Sequence, residues 1–417
     1  MATAERHVPQ LKRDFAALRE DFPALRQLVH GKPLAYLDNA ASSQSPLSVQ
    51  NAIAEQQRLN HSNVHRGVHQ LSERATAAYE GARERVRRFI NAPSLAEVVF
   101  TRGTTESINL VAASFGQRLA RGDEVLITGL EHHSNIVPWQ LLCERTGARL
   151  VVAPIRDDGS LDVGAFDALL GARTKIVAFA HVSNALGTVN PVAALIEKAH
   201  AAGAVVLVDG AQAVPHMRVD VQALDCDFYA FSGHKMFGPT GTGVLYGKRS
   251  LLETMPPYQG GGDMILTVSF ERSTYNALPY KFEAGTPNIT GVVGLGAAVE
   301  YLESIDFAAV EEHEHDLLEQ ASRRVLAEIP GARLIGTAPQ KASVLSFVVD
   351  GIHAHDIGTI VDSEGVAIRT GHHCAMPVME RFGVAATARA SFAFYNNQED
   401  VDRLIAGLKK AVEIFRG

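Results

Sequence analysis

The first residue in this chain whose setting suggests chemistry is a lysine at the end of an apolar run. Phe228-Tyr229-Ala230-Phe231 has the pattern of a buried strand, and the small polar triplet Ser232-Gly233-His234 ends it and delivers Lys235. Low-dielectric surroundings disfavour a lysine's charged form, and the neutral amine is a nucleophile toward carbonyls. Most lysines after strands only lead the chain back to water. Lys235 therefore defines a site only in company.

That company is present. Arg102-Gly103-Thr104-Thr105 has the layout of an anion cup: a glycine turn feeds a helix whose free N–H groups and dipole favour a phosphate, with the hydroxyls of Thr104 and Thr105 able to join. An ordinary N-cap would use the same residues. Asp209 closes the apolar run Val205–Val208, where a carboxylate can pair with a protonated ring nitrogen or merely cap a turn. Gln212 follows three residues later as a donor for a ring hydroxyl, and His132, also just after a strand, offers a flat ring for stacking. Ser232 and His234 flank the lysine and can add phosphate contacts. A phosphate cup, a carboxylate for a ring nitrogen, a flat side chain and a lysine for an aldehyde are the needs of pyridoxal 5'-phosphate (PLP).

A second reactive group lies far along the chain. Val366-Ala367-Ile368-Arg369 reads as a strand, followed by Thr370-Gly371-His372-His373-Cys374. A cysteine in a polar loop beside two histidines and the charges of Arg369 and Arg389 has a route to thiolate, which can attack a substrate's sulfur. Zinc is the competing use of His-His-Cys with His353 and His355 nearby, but adjacent residues chelate one metal awkwardly and no CxxC or HxxxH pair lies near them in the chain. Cys143, on a helical apolar face, and Cys226, entering a strand, read as small core residues.

The elements that must position these groups alternate. From Glu97 the rhythm is strand, turn, helix: strands at 98–101, 125–128, 176–180 and 205–209 each run into a polar cluster. Apolar, β-branched strands with little alternation are buried on both faces, as in a parallel sheet covered by helices, and such sheets bind ligands beyond the strands' C-terminal ends. Every polar cluster named lies at that end. Before this stretch, Leu11, Phe15 and Leu18 fall at helical spacing, residues 33–38 read as a short strand, and helices are expected around 47–60 and 72–91. After it come a helix over 306–329, strands near 343–349, 366–369 and 389–394, and a last helix with Val401, Leu404, Leu408, Ala411 and Phe415 on one face. The division this predicts is an N-terminal helical segment (1–30) packing with the small domain, a large cofactor-binding domain (31–295) and a small α+β domain (296–417) carrying the cysteine loop. The fold class is α/β, with a mostly parallel central sheet and helices on both faces.

Whole-chain properties narrow the partners. Its 417 residues are 46% hydrophobic and 20% charged with net charge −7, a mild acidic balance that argues against nucleic acid. No apolar run reaches the length of a membrane span, and 1–15 lacks a signal-peptide core, so a cytoplasmic protein is expected. Three cysteines are too few and odd for a disulfide framework.

At these residues the chain resembles the PLP-dependent cysteine desulfurases of aminotransferase class V, in the Suf-type (group II) branch. The motifs that carry the likeness are Asn63-Val64-His65-Arg66-Gly67, Arg102 to Glu106, Glu131-His132-His133, Val208 to Gln212, Ser232 to Lys235, Phe282-Glu283-Ala284-Gly285-Thr286-Pro287-Asn288 and Arg369 to Cys374. The resemblance implies the PLP-dependent transferase fold of type I, a homodimer with its active site at the subunit boundary, and 270–279 in an interface hairpin. Lys235 would hold PLP, Asp209 pair with its ring nitrogen, His132 stack on the ring and Gln212 contact the ring oxygen. Thr104, Thr105, Ser232 and His234 would bind phosphate, with Thr286 reaching over from the other subunit. Asn184 and Arg389 would hold the substrate carboxylate, Arg369 would lie beside the substrate, and Cys374 would take the sulfur as a persulfide. The implied reaction turns L-cysteine into L-alanine for iron–sulfur cluster assembly, with L-selenocysteine as a further substrate and a sulfur-acceptor protein of the SufE or SufU kind as partner. A kynureninase-like cleavage would not need Cys374, and a sulfur carrier would need no PLP.

Overall fold

The strand–helix rhythm closes into a seven-stranded sheet in the computed structural model, which describes residues 12–416. Its strands are β1 (Val98–Thr101), β2 (Glu124–Thr128), β3 (Arg149–Ala153), β4 (Thr174–Ala180), β5 (Val205–Asp209), β6 (Phe228–Ser232) and β7 (Gly243–Gly247), in spatial order β1-β7-β6-β5-β4-β2-β3. From β3 to β6 all neighbours are parallel. β7 is antiparallel to both β6 and β1, because the short loop 236–242 leaves no length for a crossover. Alternate residues enter two cores. Leu126, Val177, Val206 and Phe231 face one side, while Val125, Ile176, Leu207 and Phe228 face the other. The run of apolar residues without alternation thus reflects a sheet covered twice.

A second, four-stranded antiparallel sheet follows: β8 (Ala332–Leu334), β9 (Val344–Val349), β10 (Arg369–Gly371) and β11 (Thr387–Ser391), ordered β8-β9-β11-β10. Its apolar face packs on helices Phe307–Glu328, Ala354–Ser363 and Gln398–Arg416. Ala35 and Leu37 belong to this core, and Ala35–Tyr36 pairs in parallel with Val366–Ala367. The first residues assigned to the large domain therefore pack with the second sheet. At the other boundary, helix Ile289–Glu303 runs past residue 296 and packs on helices Leu47–Leu59 and Gln70–Phe89 of the first part of the chain.

Three local expectations change. The strand expected at 366–369 is two short strands in different sheets, with the change of partner at Ile368. In the last helix Val401, Leu404, Leu408 and Ala411 are buried, but Phe415 is exposed because the helix outruns the core it packs on. Near the N-terminus the helix is short, Phe15–Arg19, and buries Leu18; Leu11 and the rest of 1–11 lie outside the described residues. Ile265–Val268 and Ser273–Tyr275 form a hairpin that exposes Leu266, Val268 and Phe270. No helix among the described residues is long and apolar enough to cross a membrane.

Candidate active site

The C-terminal ends of β2, β4, β5 and β6 meet the loop after β10 around a cavity of about 380 Å³. Thr104, Thr105, His132, Asn184, Asp209, Gln212, Ser232, His234, Lys235, Arg369, Cys374 and Arg389 all line it. Thr286 does not. It borders a separate cavity with Tyr79, Arg102 and Glu106.

The cup forms where β1 turns into helix Thr104–Ser114. Gly103 takes φ +151°, and a Cβ there would sit 3.3 Å from the Ser232 hydroxyl. That hydroxyl joins the cup, 2.8 Å from the Thr104 amide and 2.7 Å from Thr104 Oγ1. Hydroxyls and helix-terminal N–H groups thus converge where a phosphate would be favoured.

Asp209 is buried at the end of β5, and its Oδ1 accepts from the Ala211 amide at 3.0 Å. No other protein donor to this carboxylate is found among the described residues, and burial raises its pKa. A cationic ring N–H would supply the missing partner. Gly210 lets this turn lie on the Tyr229 ring; a Cβ would come within 2.0 Å of a ring carbon. Gln212 donates to the Ala40 carbonyl at 2.6 Å and keeps a second N–H for a ligand.

Lys235 is held in a 3₁₀ turn, Gly233–Lys235, directly after β6. Burial lowers its pKa to about 8, opposed by the attraction of Asp209. The amine is therefore poised between ammonium and nucleophile near neutral pH. His132 is pushed down to about 3, first by burial and then by Lys235, so it stays neutral. Its Nδ1 accepts from the Ser134 amide at 3.0 Å, which places the ring proton on Nε2.

Glu131, named only as part of the Glu131-His132-His133 motif, has a role that sequence reasoning did not assign. It is buried, accepts from Asn135 at 2.6 Å and from the Ala180 amide at 3.2 Å, and Asn135 is oriented by the Trp139 indole at 2.9 Å. These bonds tie the end of β2 to the end of β4 and fix the backbone that carries His132. Its only sequence signal is adjacency to that histidine. Burial raises its pKa to about 8.

On the other wall, β10 and β11 set Arg369 directly opposite Arg389. Arg389 is buried, donates to the Asn184 carbonyl at 2.8 Å, and keeps a buried Nε without a partner among the described residues. Burial lowers its pKa to about 10. Asn184 donates one amide N–H to the His373 carbonyl at 2.6 Å and keeps the other. Asp38 reaches both cations, with Arg369 at 3.1 Å and Arg389 at 3.3 Å. Nothing local in the sequence marked that role.

Cys374 is the exposed cysteine of the three. It and His373 both take left-handed backbone angles, φ +55° and +52°, which costs energy in non-glycine residues. The turn is held by the Asn184 bond and by the His133 amide donating to the Cys374 carbonyl at 2.7 Å. No group of three His, Cys, Asp or Glu side chains able to hold a metal occurs among the described residues.

An aldehyde-seeking lysine, an open carboxylate, a neutral flat ring and an anion cup in one cavity fit PLP, and with the doubly covered sheet they define a PLP-dependent enzyme of fold type I. The aminotransferase class V family model matches residues 35–404, so the chain belongs to that family. It is 53% identical over 400 residues to a probable cysteine desulfurase of Halalkalibacterium halodurans, covering 95% of this chain and 98% of that one. It is 54% identical over 398 residues to the cysteine desulfurase of Synechococcus elongatus, covering 95% of this chain but 63% of that longer relative. Among solved structures, the cysteine desulfurase CsdA from Escherichia coli, in its S-sulfonic acid form, matches with a TM-score of 0.90 at 44% identity, over 96% of this chain and 99% of that one.

Proposed function

We propose that this chain is a cysteine desulfurase: it converts L-cysteine to L-alanine and keeps the sulfur as a persulfide on Cys374, for use in iron–sulfur cluster assembly. The observation that carries this reading is that Cys374 and Lys235 line one cavity. Lys235 would hold PLP, Asp209 its ring nitrogen, His132 its face, and Thr104, Thr105, Ser232 and His234 its phosphate. When bound, PLP supplies the electron sink for chemistry at the substrate's α-carbon.

Arg389 lines the cavity and would anchor the substrate carboxylate with Asn184, with Arg369 beside it. Lys235 Nζ, whose pKa lies at about 8, can take the α-proton and return it at neutral pH. His132, held neutral with its proton on Nε2, would stack on the cofactor ring without adding charge. Cys374 Sγ then bonds to the substrate sulfur as that sulfur leaves its carbon. One cysteine and one enzyme thiol yield one alanine and one persulfide, so no outside oxidant is needed.

The reading extends to a cytoplasmic homodimer in which Thr286 of the other subunit completes the phosphate site. Within one chain Thr286 lines a different cavity from Thr104 and Thr105. A sulfur acceptor of the SufE or SufU kind would insert its own thiol at the Cys374 turn, which is short and braced. L-Selenocysteine is a second substrate; selenium leaves more readily, so its turnover should depend less on Cys374. Mass spectrometry of Cys374 after exposure to L-cysteine, with alanine measured alongside, tests the reading. An added sulfur atom matched by alanine is expected; alanine release at the wild-type rate from Cys374→Ala would refute it.

A further inference from the structure

Lys235 Nζ has no hydrogen bond among the described residues, only burial and nearby charges, so its backbone turn must aim it. That turn is bracketed from outside. The segment 39–45 joins the strand Ala35–Tyr36 to helix Leu47–Leu59 and lends Ala40 and Ala41 to the cavity wall. Three of its donors reach the His234 carbonyl, just before the lysine: the Ser43 amide at 3.0 Å, Ser42 Oγ at 3.1 Å and Ser43 Oγ at 3.3 Å. Two residues after the lysine, the Phe237 amide donates to Ser43 Oγ at 2.7 Å. One hydroxyl, donating its proton and accepting on a lone pair, thus spans Lys235-Met236 from carbonyl to amide. Phe237 takes φ +67°, a left-handed conformation that bulky residues avoid, and its ring packs on Phe22 and Phe394. Such backbone persists only where its surroundings over-determine it. The segment is itself held: the Tyr36 hydroxyl donates to the Ser42 carbonyl at 2.7 Å, and the Gln44 amide donates to the Tyr395 hydroxyl at 3.1 Å.

We infer that Ser43 is a positioning residue for Lys235: with help from Ser42, its hydroxyl fixes the turn that aims the amine at the substrate's α-proton. The inference rests on the proton-carrying role proposed above for Lys235. Ser43 does not line the cavity and acts only through the backbone on either side of the lysine. A purely structural serine would change stability without changing the proton step.

The test uses PLP-loaded protein turning over L-cysteine and α-deuterated L-cysteine. Ser43→Ala should keep its PLP and its KM while kcat falls roughly tenfold or more, since small misplacement of a reacting group is costly. The deuterium effect on kcat should rise, because a misaimed amine makes proton transfer the slower step. Ser43→Thr keeps the hydroxyl and should restore both. Should Ser43→Ala fail to fold, Ser42→Ala removes one of the three bonds to the His234 oxygen and should raise the deuterium effect by a smaller amount. An unchanged deuterium effect in Ser43→Ala, or in Ser42→Ala where that variant stands in, beside normal wild-type turnover, overturns the inference alone. Wild-type protein that makes no alanine from L-cysteine, or whose PLP is not fixed to Lys235 by borohydride, overturns the proposed reaction and the inference with it.

Discussion

Removing PLP and watching Lys235 recapture it isolates the physical feature on which the site depends. Burial lowers this amine from 10.5 to about 8. At 1.36 kcal/mol per pKa unit, that difference is about 3 kcal/mol of bias against the ammonium. At pH 7 the neutral fraction becomes roughly one in ten, against about one in three thousand for an ordinary lysine, a gain of about 300-fold. The rate at which apo-protein captures PLP, followed by the rise in visible absorption, should therefore climb with pH and level off above about 8. Asp209→Asn removes the attraction that favours the charged amine, so its midpoint should move lower still. The same depression sets a sign for stability. Between about 8 and 10.5 the unfolded chain holds a proton on this lysine that the folded chain lacks, so Lys235 makes apo-protein stability rise with pH across that window. A capture midpoint at or above 10 would refute the reasoning, because it would mean that the cavity does not desolvate the amine.

Cys374→Ala should capture PLP normally yet release alanine from cysteine at least roughly a hundredfold more slowly, measured by alanine assay in single and multiple turnovers. Glu283 takes both oxygens of its carboxylate to buried Arg83, at 2.6 and 2.9 Å, and holds the Phe100 amide at 2.7 Å. Glu283→Gln leaves Arg83 with Glu80, 3.0 Å from its Nε, as the remaining carboxylate and should cost roughly 1–3 kcal/mol in urea unfolding, with the largest local effect on the segment leading to Thr286. Gly210→Ala drives a methyl into the Tyr229 ring; it should cost at least about 2 kcal/mol and weaken PLP retention, read by absorption after dialysis.

Much of the site was legible in the chain because its parts are short and local. Lys235, Asp209 and His132 each follow an apolar strand, and burial of those strands on both faces fixes where their ends open. The strand 366–369 misled because the apolar stretch Val366-Ala367-Ile368 carries no mark of which sheet it joins. Phe415 misled because periodicity continues past the surface the helix covers. Glu131 was visible only as a neighbour of His132, since its bonds to Asn135 and the Ala180 amide come from packing.

The sequence by itself determined the doubly buried parallel strands, the polar clusters at their C-terminal ends, and the residue types that together suit PLP. Side-chain period and turn chemistry are local properties, and they survive being read along a line. Only the tertiary structure decided that Arg369 and Arg389 stand opposite each other, that Asp38 bonds to an arginine 331 positions away, and that Cys374 shares a cavity with Lys235. Charge balance depends on distance in space, and strand register sets that distance without leaving a local trace in the chain.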